Sequence, residues 1–135
     1  MNLESASTIL ADNFAPWVLD LGIRVDGVTA DSATLRLPFS ERLCRVGGIM
    51  CGQALVSGAD TSMVIALCSA MGGFKPVTTV DQSVSFMRPI TRHDARIEAR
   101  VIRLGRSLAF CACEIREDGS DKPAVTSNGT YALLT

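Results

Sequence analysis

The longest apolar stretch of the chain, from Cys51 to Met71, has the spacing of a helix. Small or apolar side chains cover most of its circumference, and it contains one charged residue, Asp60. A helix without a charged face is normally buried on nearly all sides. The pattern therefore predicts a central helix that begins near Cys51 or Gly52 and ends at Met71, before Gly72-Gly73.

Alternating apolar and polar positions predict strands on both sides of this helix. The predicted strands are 25–29, 33–39, 77–87, 95–104, 107–116 and 125–134. Within 95–104 the alternation breaks at Ile102, which predicts a bulge or a bend. The segment between the second strand and the helix is predicted to be a loop. Residues 3–19 have apolar positions at helical spacing, so they predict one or two short helical pieces, with Phe14 and Trp17 closing the end of the sheet.

Strands that follow one another, with a single long helix among them, are typical of an antiparallel α+β domain. A sheet that curls around the helix is the simplest way to bury it. The chain has 135 residues, of which 47% are hydrophobic, so its size is that of one domain with a sizeable core. We therefore expect a single domain over residues 1–135.

Composition excludes several classes of function. The net charge of −1 gives no indication of a nucleic-acid partner or an anionic membrane. The longest uninterrupted apolar run, Met63 to Cys68, is too short to cross a bilayer, and no signal peptide is recognisable. Five cysteines without a CxxC pair indicate reduced thiols and a cytoplasmic location, and with one histidine they predict no metal site.

Asp60 is the principal candidate for chemistry. An ionised acid inside an apolar helix is costly unless it has a partner or a function. The backbone N–H groups at the start of the same helix suit the polarisation of a carbonyl. Two interpretations remain open: a catalytic carboxylate, or an acid that pairs with a buried arginine or caps a loop.

Three segments carry a resemblance to a known family. The first, CGQALVSGAD, is similar to a helix start that contains a glycine and has an acid nine residues after its first position. The second, TTVDQSVSFMRPI, is similar to the strand that follows this helix, and the third, RLGRSLAF, is similar to the next strand-turn-strand. With these segments the chain resembles acyl-CoA thioesterases of the hotdog superfamily, of the phenylacetic-acid-degradation type. The resemblance implies a hotdog fold and hydrolysis of a medium-chain or aryl acyl-CoA without a cofactor.

The resemblance also implies roles for particular residues. Asp60 would be the general base or nucleophile, and the N–H of Gly52 would hold the thioester oxygen. The hydroxyl of Thr79, from the neighbouring subunit, would orient the water. Cys51 stands where the family has histidine, Gln53 replaces its second glycine, and Arg45 replaces an asparagine or glutamine.

Six further residues are candidates for substrate binding: Cys51, Gln53, Arg45, Gly48, Arg88 and Arg106. Cys51 is either a nucleophile at a helix N-terminus or a small residue that fills space. Gln53 either contacts the substrate or faces solvent. Each arginine either meets a CoA phosphate or is an ordinary surface residue.

The family builds its site between two subunits, so the resemblance implies a homodimer, or a dimer of dimers, with acyl-CoA as its ligand. Two other functions compete with hydrolysis. The first is a non-catalytic acyl-CoA-binding module. The second is an acyl-thioester hydratase or dehydratase, which typically needs a histidine beside its acid. His93, the one histidine, lies in a predicted surface turn far from Asp60.

Overall fold

In the computed structural model, which describes residues 1–134, one long helix packs against a six-stranded antiparallel sheet. The helices are α1 (Leu3–Asn13), α2 (Pro16–Leu19) and α3 (Gly52–Ala70), and Glu41–Leu43 forms a 3₁₀ turn. The strands are β1 (Arg24–Val28), β2 (Ser32–Leu37), β3 (Cys44–Arg45), β4 (Ile49–Met50), β5 (Val77–Phe86), β6 (Ala95–Leu104), β7 (Leu108–Glu117) and β8 (Pro123–Leu133).

The six long strands lie in the order β1-β2-β6-β7-β8-β5, so β5 is an edge strand. A curled antiparallel sheet around one helix is the hotdog fold, which confirms the fold predicted from the sequence. The short strands β3 and β4 pair separately as a hairpin, where the sequence predicted a loop. Their hairpin leads directly into α3. Beside it, Cys51 N–H donates to the carbonyl of Leu43 at 2.9 Å, which ties the helix start to the 3₁₀ turn.

Helix α3 begins and ends where its apolar pattern predicted. Gly72 and Gly73 both have positive φ, a backbone conformation that favours glycine, and they end the helix there. Gly58 permits close packing on the sheet, since a Cβ at this position would lie 2.8 Å from Cδ1 of Ile97. Among residues 1–134, α3 alone is long and apolar enough to cross a membrane, but most of it is buried within the domain, as expected of a core helix.

One stripe of α3 is left uncovered by the sheet, which corrects the expectation of burial on nearly all sides. The partly or fully exposed positions in the first part of the helix are Gly52, Gln53, Val56, Ser57, Asp60 and Val64. Their spacing places them on one helix face. The opposite face, with Leu55, Ala59 and Met63, is buried in the core.

The pairing register of the sheet shifts at four places, and two of these shifts bear on the sequence predictions. The register of β6 against β7 shifts between Val101 and Arg103, so of the bulge or bend predicted at Ile102 the structure has the bulge. A second shift, between Thr79 and Asp81 on β5, was not predicted. The sequence had placed Val80 on the same face as Val84, but Val80 is the extra residue of this bulge and is 59% exposed.

The N-terminal segment forms two short helices, as predicted. Asn2 caps α1 through a reciprocal pair of hydrogen bonds with Ser5. Phe14 packs against the core, whereas Trp17 is 60% exposed and does not close the end of the sheet. The reason is that α2 turns Trp17 toward the start of α3, where it lines an open groove instead.

Candidate active site

Two hydroxyl groups converge on one oxygen of the Asp60 carboxylate. Thr79 Oγ1 donates to Asp60 Oδ1 at 3.1 Å, and the hydroxyl of Tyr131 donates to the same oxygen at 2.8 Å. No hydrogen bond to Asp60 Oδ2 is present among the residues that the structure describes. The carboxylate is therefore held through one oxygen, and Asp60 itself is a partly exposed residue of the stripe on α3.

The register of the sheet brings the two hydroxyls together. Thr79 on β5 and Tyr131 on β8 are direct cross-strand partners, immediately before the bulge at Val80. Directly opposed residues in an antiparallel pair have neighbouring side chains on the same face. Both side chains therefore reach the middle of α3, which crosses this face of the sheet at Asp60.

Tyr131 was not a candidate from the sequence. It lies in the strand predicted over residues 125–134, and its side chain is fully buried. The hydroxyl of a buried tyrosine usually has a hydrogen-bond partner, and this general rule was the one signal in the sequence that Tyr131 bonds to another residue. The identity of that partner depends on the register of β8 and the rotation of α3, which a strand pattern does not contain.

Within one chain, Thr79 contacts Asp60 of that same chain. The contact forms because β5 pairs with β8 beside α3. That the neighbouring subunit supplies this hydroxyl, as the resemblance implied, stays a prediction.

Gly52 lies in a cleft at the start of α3. The cleft has a volume of about 400 Å³, and its lining includes Arg45, Met50, Phe86 and Arg88. The N–H of Gly52 has no acceptor among the described residues, as is usual for the first amides of a helix. Arg88 Nη1 also donates to the carbonyl of Pro123 at 2.7 Å, which fixes its side chain beside the cleft.

A second groove, of about 580 Å³, opens on the other side of Gly52. Its lining is mostly apolar and also includes Trp17, Gln53, Val56, Ser57 and Phe86. Gln53 thus faces this open groove. Gly52 and Phe86 belong to both depressions, so Gly52 lies between the cleft that contains Arg45 and Arg88 and the groove that contains Trp17.

The remaining candidates lie elsewhere. Gly48 has φ +74° in the β3–β4 turn and packs against the side chain of Arg92, outside both depressions around Gly52. Arg106 lies with Lys75 beside Met71, at the opposite end of α3. His93 is on the surface as predicted, with Nδ1 3.2 Å from Oε1 of Glu117.

The cysteines divide into two groups. Cys51 is the N-cap residue of α3, makes no capping hydrogen bond through its side chain, and is half-buried. Cys111 and Cys113 on β7 are buried, and this burial raises the pKa of both thiols to about 12. Within residues 1–134 no cluster of three His, Cys, Asp or Glu side chains is suited to a metal ion.

Tyr131 keeps its proton in this environment. Burial, and next the negative charge of Asp60, raise the pKa of its hydroxyl well above the usual range. It therefore remains a hydrogen-bond donor at every pH at which the protein is expected to work. A carboxylate with one oxygen held by two donors and one oxygen free is suited to accept a proton from water.

Comparison with known proteins identifies the family. The sequence model of the thioesterase superfamily matches residues 47–124, which include α3, β5, β6 and β7. A relative from Thermoplasma volcanium, named "Putative esterase TV1331", is 32% identical over 105 residues, covering 72% of this chain and 71% of that protein.

Solved structures share the fold. The conserved protein PA5202 from Pseudomonas aeruginosa superposes with a TM-score of 0.82 at 29% identity, over 90% of this chain and 95% of that chain. The thioesterase HI1161 from Haemophilus influenzae superposes with a TM-score of 0.87 over 100% of this chain and 92% of that chain; at 24% identity it supports the fold alone. By its sequence match and its hotdog fold, this chain belongs to the thioesterase superfamily.

Proposed function

We propose that this protein hydrolyses an acyl-CoA thioester to a free acid and CoA, with Asp60 as the general base. The observation that carries the proposal is the carboxylate on the exposed stripe of α3, held through Oδ1 by Thr79 and Tyr131. Membership of the thioesterase superfamily supports hydrolysis as the type of reaction.

The reaction follows from these groups. Asp60 Oδ2 accepts a proton from a water molecule whose second hydrogen bonds to Thr79 Oγ1. The oxygen of this water attacks the thioester carbon, and the N–H of Gly52 stabilises the negative charge that develops on the carbonyl oxygen. The C–S bond then breaks, and the thiolate of CoA takes the proton from Asp60. Atoms and charge balance without a cofactor.

One chain does not supply both halves of this site. Gly52 and Asp60 are eight residues apart on one helix, which separates them by about 12 Å. The attacking water and the carbonyl oxygen of one thioester lie only a few ångströms apart. We therefore propose a homodimer in which Asp60 of one protomer faces Gly52 of its partner.

Twofold symmetry fixes the centre of this dimer. If Gly52 of each helix lies opposite Asp60 of the other, the axis passes near the midpoint, at Val56 and Ser57. Both residues are partly exposed on the stripe. The edge strand β5 lies beside this stripe, because Gln82 Nε2 donates to the carbonyl of Val56 at 3.2 Å. Val80 and Phe86 on β5 are exposed apolar residues that a partner would cover.

The surroundings of Gly52 suggest how acyl-CoA lies in the site. Arg45 and Arg88 on one side suit the phosphates of CoA, since guanidinium groups bind phosphate well. The apolar groove with Trp17 and Val56 on the other side suits the acyl group. A medium-chain or aryl group fits a groove of this size. Arg106, at the far end of α3, would have to contact a more distant part of the ligand.

The test is release of free CoA thiol from short-chain, medium-chain and aryl acyl-CoAs, with wild type beside Asp60→Asn. Asp12→Asn on the exposed face of α1 is the matched control for the same isosteric change. We expect wild type and the control to turn over, and Asp60→Asn to lose at least about a hundredfold in kcat. No turnover together with tight acyl-CoA binding would instead establish a binding module.

The dimer has a separate test. Ser57→Cys places one thiol beside its symmetry mate at the proposed axis, so mild oxidation should give a covalent species of twice the 14.4 kDa chain mass. Wild type, with its own five cysteines, is the control under the same oxidation. A single sedimenting species of 14.4 kDa at micromolar concentration would contradict the dimer.

A further inference from the structure

We infer that Tyr131 is a positioning residue, whose buried hydroxyl fixes the Asp60 carboxylate so that Oδ2 is the oxygen that reacts. The role in hydrolysis rests on the proposed function, whereas the contact itself is tested independently of activity below. Nothing in the sequence pattern or the family match assigns a role to this tyrosine.

The contact has the geometry of a strong hydrogen bond. The Tyr131 hydroxyl is 2.8 Å from Asp60 Oδ1 and 3.5 Å from the main-chain carbonyl of the same residue. The Asp60 carboxylate accepts two hydrogen bonds among the described residues, and that of Tyr131 is the shorter. The Tyr131 side chain is fully buried, whereas Thr79 is exposed and free to contact water as well. Tyr131 therefore holds the carboxylate from the buried side, and Thr79 holds it from the side that contacts solvent.

The Tyr131 ring packs closely over Gly129. A Cβ on Gly129 would lie 2.8 Å from Cε2 of Tyr131, 3.0 Å from its hydroxyl and 3.1 Å from Cε of Met63. The ring is thus confined between β8 and α3. A side chain with so little freedom holds its hydroxyl in one place, which is what preorganisation of a carboxylate requires.

The neighbouring titratable groups do not compete with Asp60 near neutral pH. Cys111 and Cys113 on β7 face the same interior, and burial keeps both thiols protonated. Thr79 and Val84 on β5 carry no charge, and Asp81, beyond the bulge, is exposed. Loss of the tyrosine hydroxyl therefore alters the carboxylate environment without freeing another charge.

The kinetic experiment compares Tyr131→Phe with wild type on the best acyl-CoA. Tyr131→Phe deletes the hydroxyl and keeps the ring. Ser127→Ala is the control, because it removes another buried hydroxyl from β8, one that donates to the carbonyl of Ser83. We expect kcat of Tyr131→Phe to fall roughly tenfold or more while KM stays within about twofold. The control should keep kcat within about twofold.

The split between kcat and KM separates positioning from general damage. A positioning role predicts a selective fall in kcat with KM nearly unchanged, whereas a merely structural role for Tyr131 would change KM and stability without a selective fall in kcat. An unchanged kcat in a folded Tyr131→Phe protein would overturn the inference.

A stability cycle tests the contact without any substrate. Tyr131→Phe should lower Tm more in the wild-type background than in an Asp60→Ala background, by about 4 °C at one protein concentration. An equal decrease in both backgrounds would overturn the contact. An inactive wild type with this coupling present would refute the proposed hydrolysis and leave the Tyr131–Asp60 contact established.

Discussion

Thr79 and Tyr131 face each other across β5 and β8, and their hydroxyls share Oδ1 of Asp60. Because both hydroxyls bind Oδ1, the carboxylate is held in one orientation and Oδ2 accepts no hydrogen bond from the described residues. It depends on the bulge at Val80, because the pairing register of β5 changes immediately after Thr79.

The first prediction concerns Thr79. Thr79→Val removes the hydroxyl and keeps the shape of the side chain, so we expect kcat to fall roughly tenfold or more, as for loss of a hydrogen bond to a charged group. Thr79→Ser retains the hydroxyl and should recover most of the activity. The measurement is steady-state CoA release by both variants; equal activity of the two would exclude a role for this hydroxyl.

The second prediction concerns the proposed oxyanion donor. Proline is well tolerated at the first position of a helix, and Cys51 before it already has the extended backbone that proline requires. Gly52→Pro should therefore fold while lacking the N–H. We expect kcat to fall by about 10²–10³, the usual effect of removing one such donor.

Gly52→Ala is the matched control for this substitution. It keeps the N–H and adds the same Cβ, which would lie 3.3 Å from Cζ of the partly exposed Phe86 ring. The ring has room to move, so the alanine variant should retain most of its activity. Similar losses in both variants would indicate that the effect is steric and that the N–H is not the donor.

The third prediction tests the space around the tyrosine. Gly129→Ala places a Cβ against the Tyr131 ring and Met63, so the tyrosine hydroxyl should be displaced from Asp60. Overpacking of this kind costs about 1–3 kcal/mol in the free energy of unfolding. We expect kcat to fall together with stability, measured by denaturant unfolding and CoA release. Full activity in the folded variant would contradict the confinement of the ring.

The fourth prediction is a loss of stability in alkali. Burial raises the pKa of Cys111 and Cys113 to about 12, whereas thiols of an unfolded chain ionise near 8.5. Above about pH 9 the unfolded state therefore binds fewer protons than the folded state, and stability falls as pH rises toward 12. The slope is about 1.4 kcal/mol per pH unit for each thiol.

Replacement of both cysteines checks this assignment. Cys111→Ala with Cys113→Ala should unfold at a lower temperature near neutral pH, because it leaves cavities in the core. Its Tm should nevertheless decrease less steeply between pH 9 and 11 than that of wild type. Parallel decreases would show that other groups cause the alkaline loss.

Local patterns along the chain were sufficient to predict most of the fold. The bounds of α3, the six long strands and the bulge in β6 follow from periodicity and from breaks in it, which are properties of neighbouring residues. Asp60 also stood out locally, since it is the one charge in an apolar helix. Its catalytic role and that of Gly52 remain predictions.

Only the tertiary structure decided what surrounds Asp60. Strand register determines which residue faces Thr79, and the rotation of α3 determines that Tyr131 reaches the carboxylate and that one stripe of the helix stays uncovered. Both are set by packing between segments far apart in sequence, so neither leaves a periodic signal. The sequence by itself thus determined the elements and the candidate acid, and packing determined its partners, because hydrogen bonds depend on distances that no local pattern records.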